Sequence, residues 1–180
     1  MEPIFYITLG SATLLLLISG VLLLISERRK TRAAKAAMAD AGAALTARIG
    51  DLWMDEDRKK WLIAHESSRI PVHTYDSVLS AELSADGVDY IWKDGAICNE
   101  KGEPGWPPKA PEASGTLLPG SKPRAKNIYL NIFINDPACP VETLVLLGRP
   151  CAYTSRAYRD AAVNAGALMK LFNTLNTPAR

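Results

Sequence analysis

The hydrophobic pattern of this chain changes three times. From Ile4 to Ile25, IFYITLGSATLLLLISGVLLLI, twenty-two residues pass without one charged side chain. As a helix rising about 1.5 Å per residue, that run reaches roughly 33 Å, enough to cross a hydrocarbon core of about 30 Å. Lipid offers no partner for backbone amides, so a helix is the expected form of a single span. From Glu27 to Ile49 alanine takes over, with nine between Ala33 and Ala47 and only Met38, Leu45 and Ile49 as larger apolar residues. Alanine favours helix, and so thin a stripe predicts a solvated helical stalk that ends at Gly50. All of Glu27–Ile49 in helix would hold the following domain roughly 35 Å from the bilayer.

After Gly50 the period shortens to two. Alternation and turn residues predict strands at Leu52–Met54, Lys60–Glu66, Arg69–His73, Leu79–Ala85 and Val88–Lys93, with Asp86-Gly87 as a hairpin turn. Pro71 marks the third of these as an edge or bulged piece. Lys126–Asn135, KNIYLNIFIN, alternates most cleanly, and Val141–Leu147 follows it. Between them and the earlier strands, Gly95–Arg124 is crowded with proline and glycine and cannot form a regular ladder. The last element has period 3.6: Tyr158, Ala161, Ala165, Leu168, Phe172 and Leu175 line one face of a helix from Ser155 to Leu175, with Ser155 or Thr154 as N-cap. The expected organisation is a transmembrane anchor over 1–26, an alanine-rich helical stalk over 27–50, and one α+β domain over 51–176. That domain is an antiparallel sheet or open barrel with a C-terminal amphipathic helix and a proline/glycine-rich loop over 95–124.

Charge adds an orientation. The start, MEP, has no cation, whereas Arg28, Arg29, Lys30, Arg32 and Lys35 follow the apolar run closely. A signal peptide has a cationic start and a shorter apolar core, so the run reads as an uncleaved anchor. The positive-inside rule puts the C-terminal side in the cytoplasm, as in a bacterial inner-membrane protein with its N-terminus outside. The five cations are then expected at anionic lipid headgroups. Residues 51–180 carry 16 acidic and 15 basic side chains, a net charge of −1, which excludes nucleic-acid binding as the expected role. Gly10, Thr13 and Gly20 share a helical face without a small-xxx-small pair, so self-association through anchor or stalk stays open.

Chemistry is sparse. The chain has no P-loop, GxGxxG, HExxH or GxSxG motif. Cys98, Cys139 and Cys151 are an odd number without CxxC spacing and read as reduced thiols. His65 and His73 could meet across adjacent strands and bind a metal with a carboxylate such as Glu66, but ordinary half-buried histidines account for them, so neither metal nor cofactor is expected. Cys98 or Cys151 paired with a histidine would be a nucleophile with nothing to orient it. Two binding surfaces stand out. Trp106, Pro107 and Pro108 could meet a protein partner in polyproline II form, or fold back onto the domain. Arg149, Arg156 and Arg159 could gather an anion at a helix N-terminus.

The order of elements, six or seven short antiparallel strands with a long loop and a C-terminal helix, resembles the pleckstrin-homology-like superfold. Asp55–Lys93 is similar to a pattern in bacterial membrane proteins, on Trp61–Ile63 as W-x-I, Tyr75–Val78 as a Tyr-Asp-Ser-Val turn, and Asp86-Gly87. The resemblance implies a binding or scaffolding role without catalysis. Arg58, Lys59 and Lys60 stand beside Asp55, Glu56 and Asp57, a mixture unlike the basic first loop of the phosphoinositide-binding members. The expected protein is therefore a non-enzymatic adaptor that presents a small domain to a protein partner at the inner membrane face, with lipid or anion sensing as the alternative.

Overall fold

The computed structural model of the chain describes residues 2–65, 70–110 and 123–175, with side chains described from Leu15 onward. Helix α1 runs unbroken from Glu2 to Asp40. Among the described residues no helix is long and apolar enough to cross a membrane. Of the expected span, the described side chains are those of Leu15–Ile25, and positions 4–14 lie outside them.

The stalk differs from expectation in length and in exposure. Helix α1 stops at Asp40, because Gly42 takes a φ of 64° and closes the end. Ala43 N–H donates to the Met38 carbonyl at 2.8 Å and Gly42 N–H to Ala39 at 2.9 Å, the paired bonds of a Schellman cap. The following residues turn back, and Ala47–Ile49 becomes strand β1 rather than helix. Nor is the stalk solvated. Ala34 and Met38, one turn apart, are 0 % and 2 % exposed and join a small core with Trp53, Leu62, Ala64 and Ile70. The alanines allow this, since a Cβ-only surface lets a helix axis come close to a sheet. The spacer reading is thus corrected: α1 lies against the domain.

Strands β1, β2 (Leu52–Asp55), β3 (Lys60–Ile63) and β4 (His73–Thr74) form one antiparallel meander in that order. Its register pairs Leu52 with Ile63 and Met54 with Trp61 on one face, and Trp53 with Leu62 on the other. The first face enters the main core and the second meets α1. Burial on both faces explains why Leu52–Met54 of β2 and Trp61–Ile63 of β3 are apolar without interruption.

The second sheet has the order β10-β9-β5-β6-β7, from β5 (Val78–Ala85), β6 (Val88–Lys93), β7 (Ala96–Asn99), β9 (Ile128–Ile134) and β10 (Val141–Leu147). Strands β8 (Arg124–Ala125) and β11 (Cys151–Ala152) pair separately. Asp86-Gly87 makes the expected hairpin, with φ of 54° and 84°. Asp94-Gly95 makes a second, at 50° and 83°, and so adds β7 where irregular loop was expected. Helix α2 (Arg156–Thr174) covers the inner face of this sheet. Ser155 caps it, accepting from Tyr158 N–H. Its stripe of Tyr158, Ala161, Ala165, Leu168 and Phe172 is buried, and Phe172 meets Trp61 edge-on at 5.3 Å. The class is α+β with antiparallel sheets, as the periodicity predicts.

Candidate functional site: a histidine, cysteine and glutamate cluster

Four side chains from separate segments converge where the two sheets meet. His65 lies just past β3, His73 opens β4, Cys139 sits in the turn from β9 to β10, and Glu142 is the second residue of β10. Glu142 and His73 are each 5 % exposed. One carboxylate oxygen, Oε2, lies 2.8 Å from His65 Nε2. The other, Oε1, lies 3.5 Å from His73 Nε2 and accepts from the Cys139 thiol at 3.2 Å. The His73 ring leans on Trp61 at 4.8 Å between centroids, which holds its Nε2 toward β10.

Burial alone raises the Glu142 carboxyl, but hydrogen bonds from His73, His65 and Cys139 outweigh it and hold the group at about 2, so the carboxylate is charged. Among the described residues the basic side chains within reach of it are the two histidines. Burial, the bond to Glu142 and the charges of Glu142 and Asp136 push the Cys139 thiol up to about 11. A protonated thiol bonded to a carboxylate is a poor nucleophile. It is, however, a metal ligand in waiting: the ligand atoms of His73, Cys139 and Glu142 all lie within 4.8 Å of one another.

The cluster adjoins α1. His65 lines a cavity of about 440 Å³ together with Leu22, Ile25, Ser26, Arg29, Lys30 and Ala33. The attachment of α1 is reinforced further along. Asp55, fully buried, accepts from the backbone N–H of Ala44 at 2.7 Å and of Arg58 at 3.0 Å, and from the Arg58 guanidinium at 3.2 Å. Those bonds hold its carboxyl down at about 2. Lys60 Nζ donates to the Ala41 carbonyl. The linker from α1 is therefore bolted to the β2–β3 turn.

A second feature is an open groove of about 1170 Å³ between the β6–β7 hairpin and residues 103–109. Its walls carry Tyr90, Trp92, Trp106, Pro104, Pro107 and Tyr153, with Asp86, Glu103 and Lys109 on the lining. The segment is fastened. Trp106 Nε1 donates to Ala162 O at 3.0 Å, and the Tyr158 hydroxyl donates to Pro108 O at 2.6 Å. Gly166 makes room, since a Cβ there would come within 3.2 Å of the Trp106 indole. Gly105 N–H donates to Ile97 O, so the loop also covers the β7 edge.

The residues expected at binding surfaces differ in exposure and in partners. Trp106 is folded back, its N–H spent on α2, while Pro107 beside it is exposed and Pro108 half-buried. Arg28, Arg29 and Arg32 are exposed at the end of the apolar run, Lys30 is half-buried and pairs with Glu27 at 3.8 Å, and Lys35 is exposed one turn on. Arg149, Arg156 and Arg159 are exposed near the N-terminus of α2, and Arg156 is drawn to Asp160 at 3.4 Å. They stand at the other end of β10 from Glu142. Seven residue steps lead from Glu142 to Arg149, at most roughly 23 Å of extended chain, and carry Arg149 away from the His65 end of β10. The alanine face that might have paired two copies of the stalk is occupied by Trp53 and Leu62.

The metal reading of His65 and His73 named Glu66, which lies outside the described residues. Glu142 escaped the sequence reading, and Cys139 entered it only as one of three reduced thiols. The one signal was a glutamate breaking the inward face of VETLVLL, since Glu142 shares its register side with Leu144. No family model, curated protein or solved structure matches this chain.

Proposed function

We propose that the chain is a single-pass, membrane-anchored binding module without catalytic activity, which holds an aromatic groove at the cytoplasmic face for an extended segment of a protein partner. The observation that carries this reading is the groove itself. Its proline-bearing wall is fastened to α2 through Trp106 and Tyr158, so half-buried Trp92 and exposed Pro107 face the groove above a buried Tyr90 without needing to be ordered by a ligand. Rigid aromatic and proline surfaces suit extended peptides, whose few hydrogen-bonding demands fall on the rim. A binding role is also what the pleckstrin-homology-like order of elements implies.

Support for the anchor comes from sequence and exposure together. In α1 the large side chains of Leu15–Ile25 stand 41–75 % exposed, a surface that water does not favour and lipid does. Extended back to Ile4, the run spans a bilayer, and Arg28, Arg29, Lys30, Arg32 and Lys35 follow it on the cytoplasmic side. Because α1 lies against the β1–β4 sheet, the domain meets its partner at the membrane surface rather than at the end of a spacer.

The test is photo-crosslinking of the full chain in native membranes. A crosslinking side chain replacing Trp92, in the groove, should give a discrete protein adduct, and one replacing Leu79, exposed outside the groove, should not. No adduct at Trp92, or equal adducts at both, overturns the reading. In the same membranes the domain should resist protease added from outside; digestion would reverse the orientation.

A further inference from the structure

We propose that His73, Cys139 and Glu142, with His65 holding the carboxylate, bind a single divalent metal ion of the zinc class, at the junction of the two sheets and beside α1. The donor set is an imidazole nitrogen, a sulfur and a carboxylate oxygen, with a fourth position left for water, a combination that suits a borderline-soft ion with tetrahedral preference. The spacing fits. Zinc bonds of about 2.0–2.3 Å place neighbouring ligand atoms about 3.3–3.7 Å apart in a tetrahedron. Glu142 Oε1 stands 3.2 Å from Cys139 Sγ and 3.5 Å from His73 Nε2, and the three ligand atoms lie within 4.8 Å of one another. His65 stands outside that group of three: it is bonded to the second oxygen of the same carboxylate, which it orients, and as the most exposed of the four it marks the way in.

Burial makes the argument independent of spacing. A carboxylate that is 5 % exposed needs compensating positive charge, and here its neighbours are groups that ligate metals. The balance of the binding step is simple. The ion takes the Cys139 sulfur as thiolate and the proton is released to solvent, while Glu142 Oε1 exchanges its hydrogen bonds for a metal bond. The ligands come from the β3–β4 segment of one sheet and the β9–β10 turn of the other. An ion there staples the sheets and the α1 contact at His65 into one unit.

The test uses the full chain in detergent micelles, stripped with a chelator and titrated with Co²⁺ and then Zn²⁺. One equivalent of Co²⁺ should bind with tetrahedral absorption and a thiolate-to-cobalt charge-transfer band, and Zn²⁺ should displace it. Cys139→Ser should abolish the charge-transfer band, and His73→Ala should weaken Zn²⁺ binding more than about a hundredfold, beyond the loss usual for residues that merely orient ligands. Glu142→Gln keeps the shape and should also lose binding; circular dichroism checks that each variant is folded. No stoichiometric binding, a charge-transfer band that survives Cys139→Ser, or equal affinity in Glu142→Gln overturns the site and leaves a hydrogen-bonded cluster. The readout involves no partner, so it stands apart from the groove.

Discussion

Helices α1 and α2 both lie on a sheet, but they are held in different ways. Helix α2 buries a broad stripe that ends in Phe172, wedged against Trp61 between the two sheets. Helix α1 touches its sheet through Ala34 and Met38, and the rest of its hold comes from polar bonds at its end: Lys60 to Ala41, and Asp55 to Ala44. The first attachment is made of apolar area. The second is a narrow contact secured by hydrogen bonds, which limits how far α1 can move from the domain without being part of what folds it.

The largest test of that contrast is Phe172→Ala. Emptying a fully buried aromatic site should cost about 3–5 kcal/mol and lower the unfolding midpoint of the whole domain, followed by tryptophan fluorescence in micelles. Met38→Ala should cost about 2 kcal/mol, less because only one side of its site is domain core, and should release α1 rather than unfold the sheets. Spin labels at Ala36 and Asp57, both exposed, should then show a broadened distance distribution. If Met38→Ala instead lowers the midpoint as much as Phe172→Ala, the two helices belong to one cooperative core and the contrast fails.

Asp55→Asn should have a smaller effect, with a pH signature. The Asp55 carboxyl lies at about 2 in the folded chain against an ordinary 3.8, a depressed value. Its contribution is therefore present in full above the ordinary value and is lost as pH falls toward 2. Wild type and Asp55→Asn should differ in midpoint near neutral pH and converge near pH 2; a difference constant with pH would show that the backbone bonds to Ala44 and Arg58 do not depend on the charge. Smallest of all, Arg156→Ala should change stability by less than about 0.5 kcal/mol, since its pair with Asp160 is exposed on both sides.

The elements with a strong local signal were legible. Alternation in Ile128–Ile134 and the stripe of Tyr158 to Phe172 each state their period many times over, and both elements lie within a residue or two of their expected bounds. Short elements were not. Strand β7 hides behind the prolines that follow it, although Asp94-Gly95 carries the same turn chemistry as Asp86-Gly87. The docking of α1 was marked indirectly, by the uninterrupted apolar runs of β2 and β3, which have both faces to bury. An alanine-rich helix gives no matching mark, because alanine suits water and close contact equally well.

The candidate cluster divides in the same way. His65 and His73 are close in sequence and their meeting was foreseeable, whereas Cys139 and Glu142 arrive from about seventy residues away through the pairing of β9 and β10. Sequence by itself determined the apolar helix, its flanking cations, the alternating strands and the amphipathic α2, because each is a repeated local preference. Tertiary structure alone decided that the stalk folds onto the domain, that Trp106 belongs to the protein's own wall, and that a lone glutamate faces two histidines and a thiol. Those contacts join positions with no shared period, so no pattern along the chain could contain them.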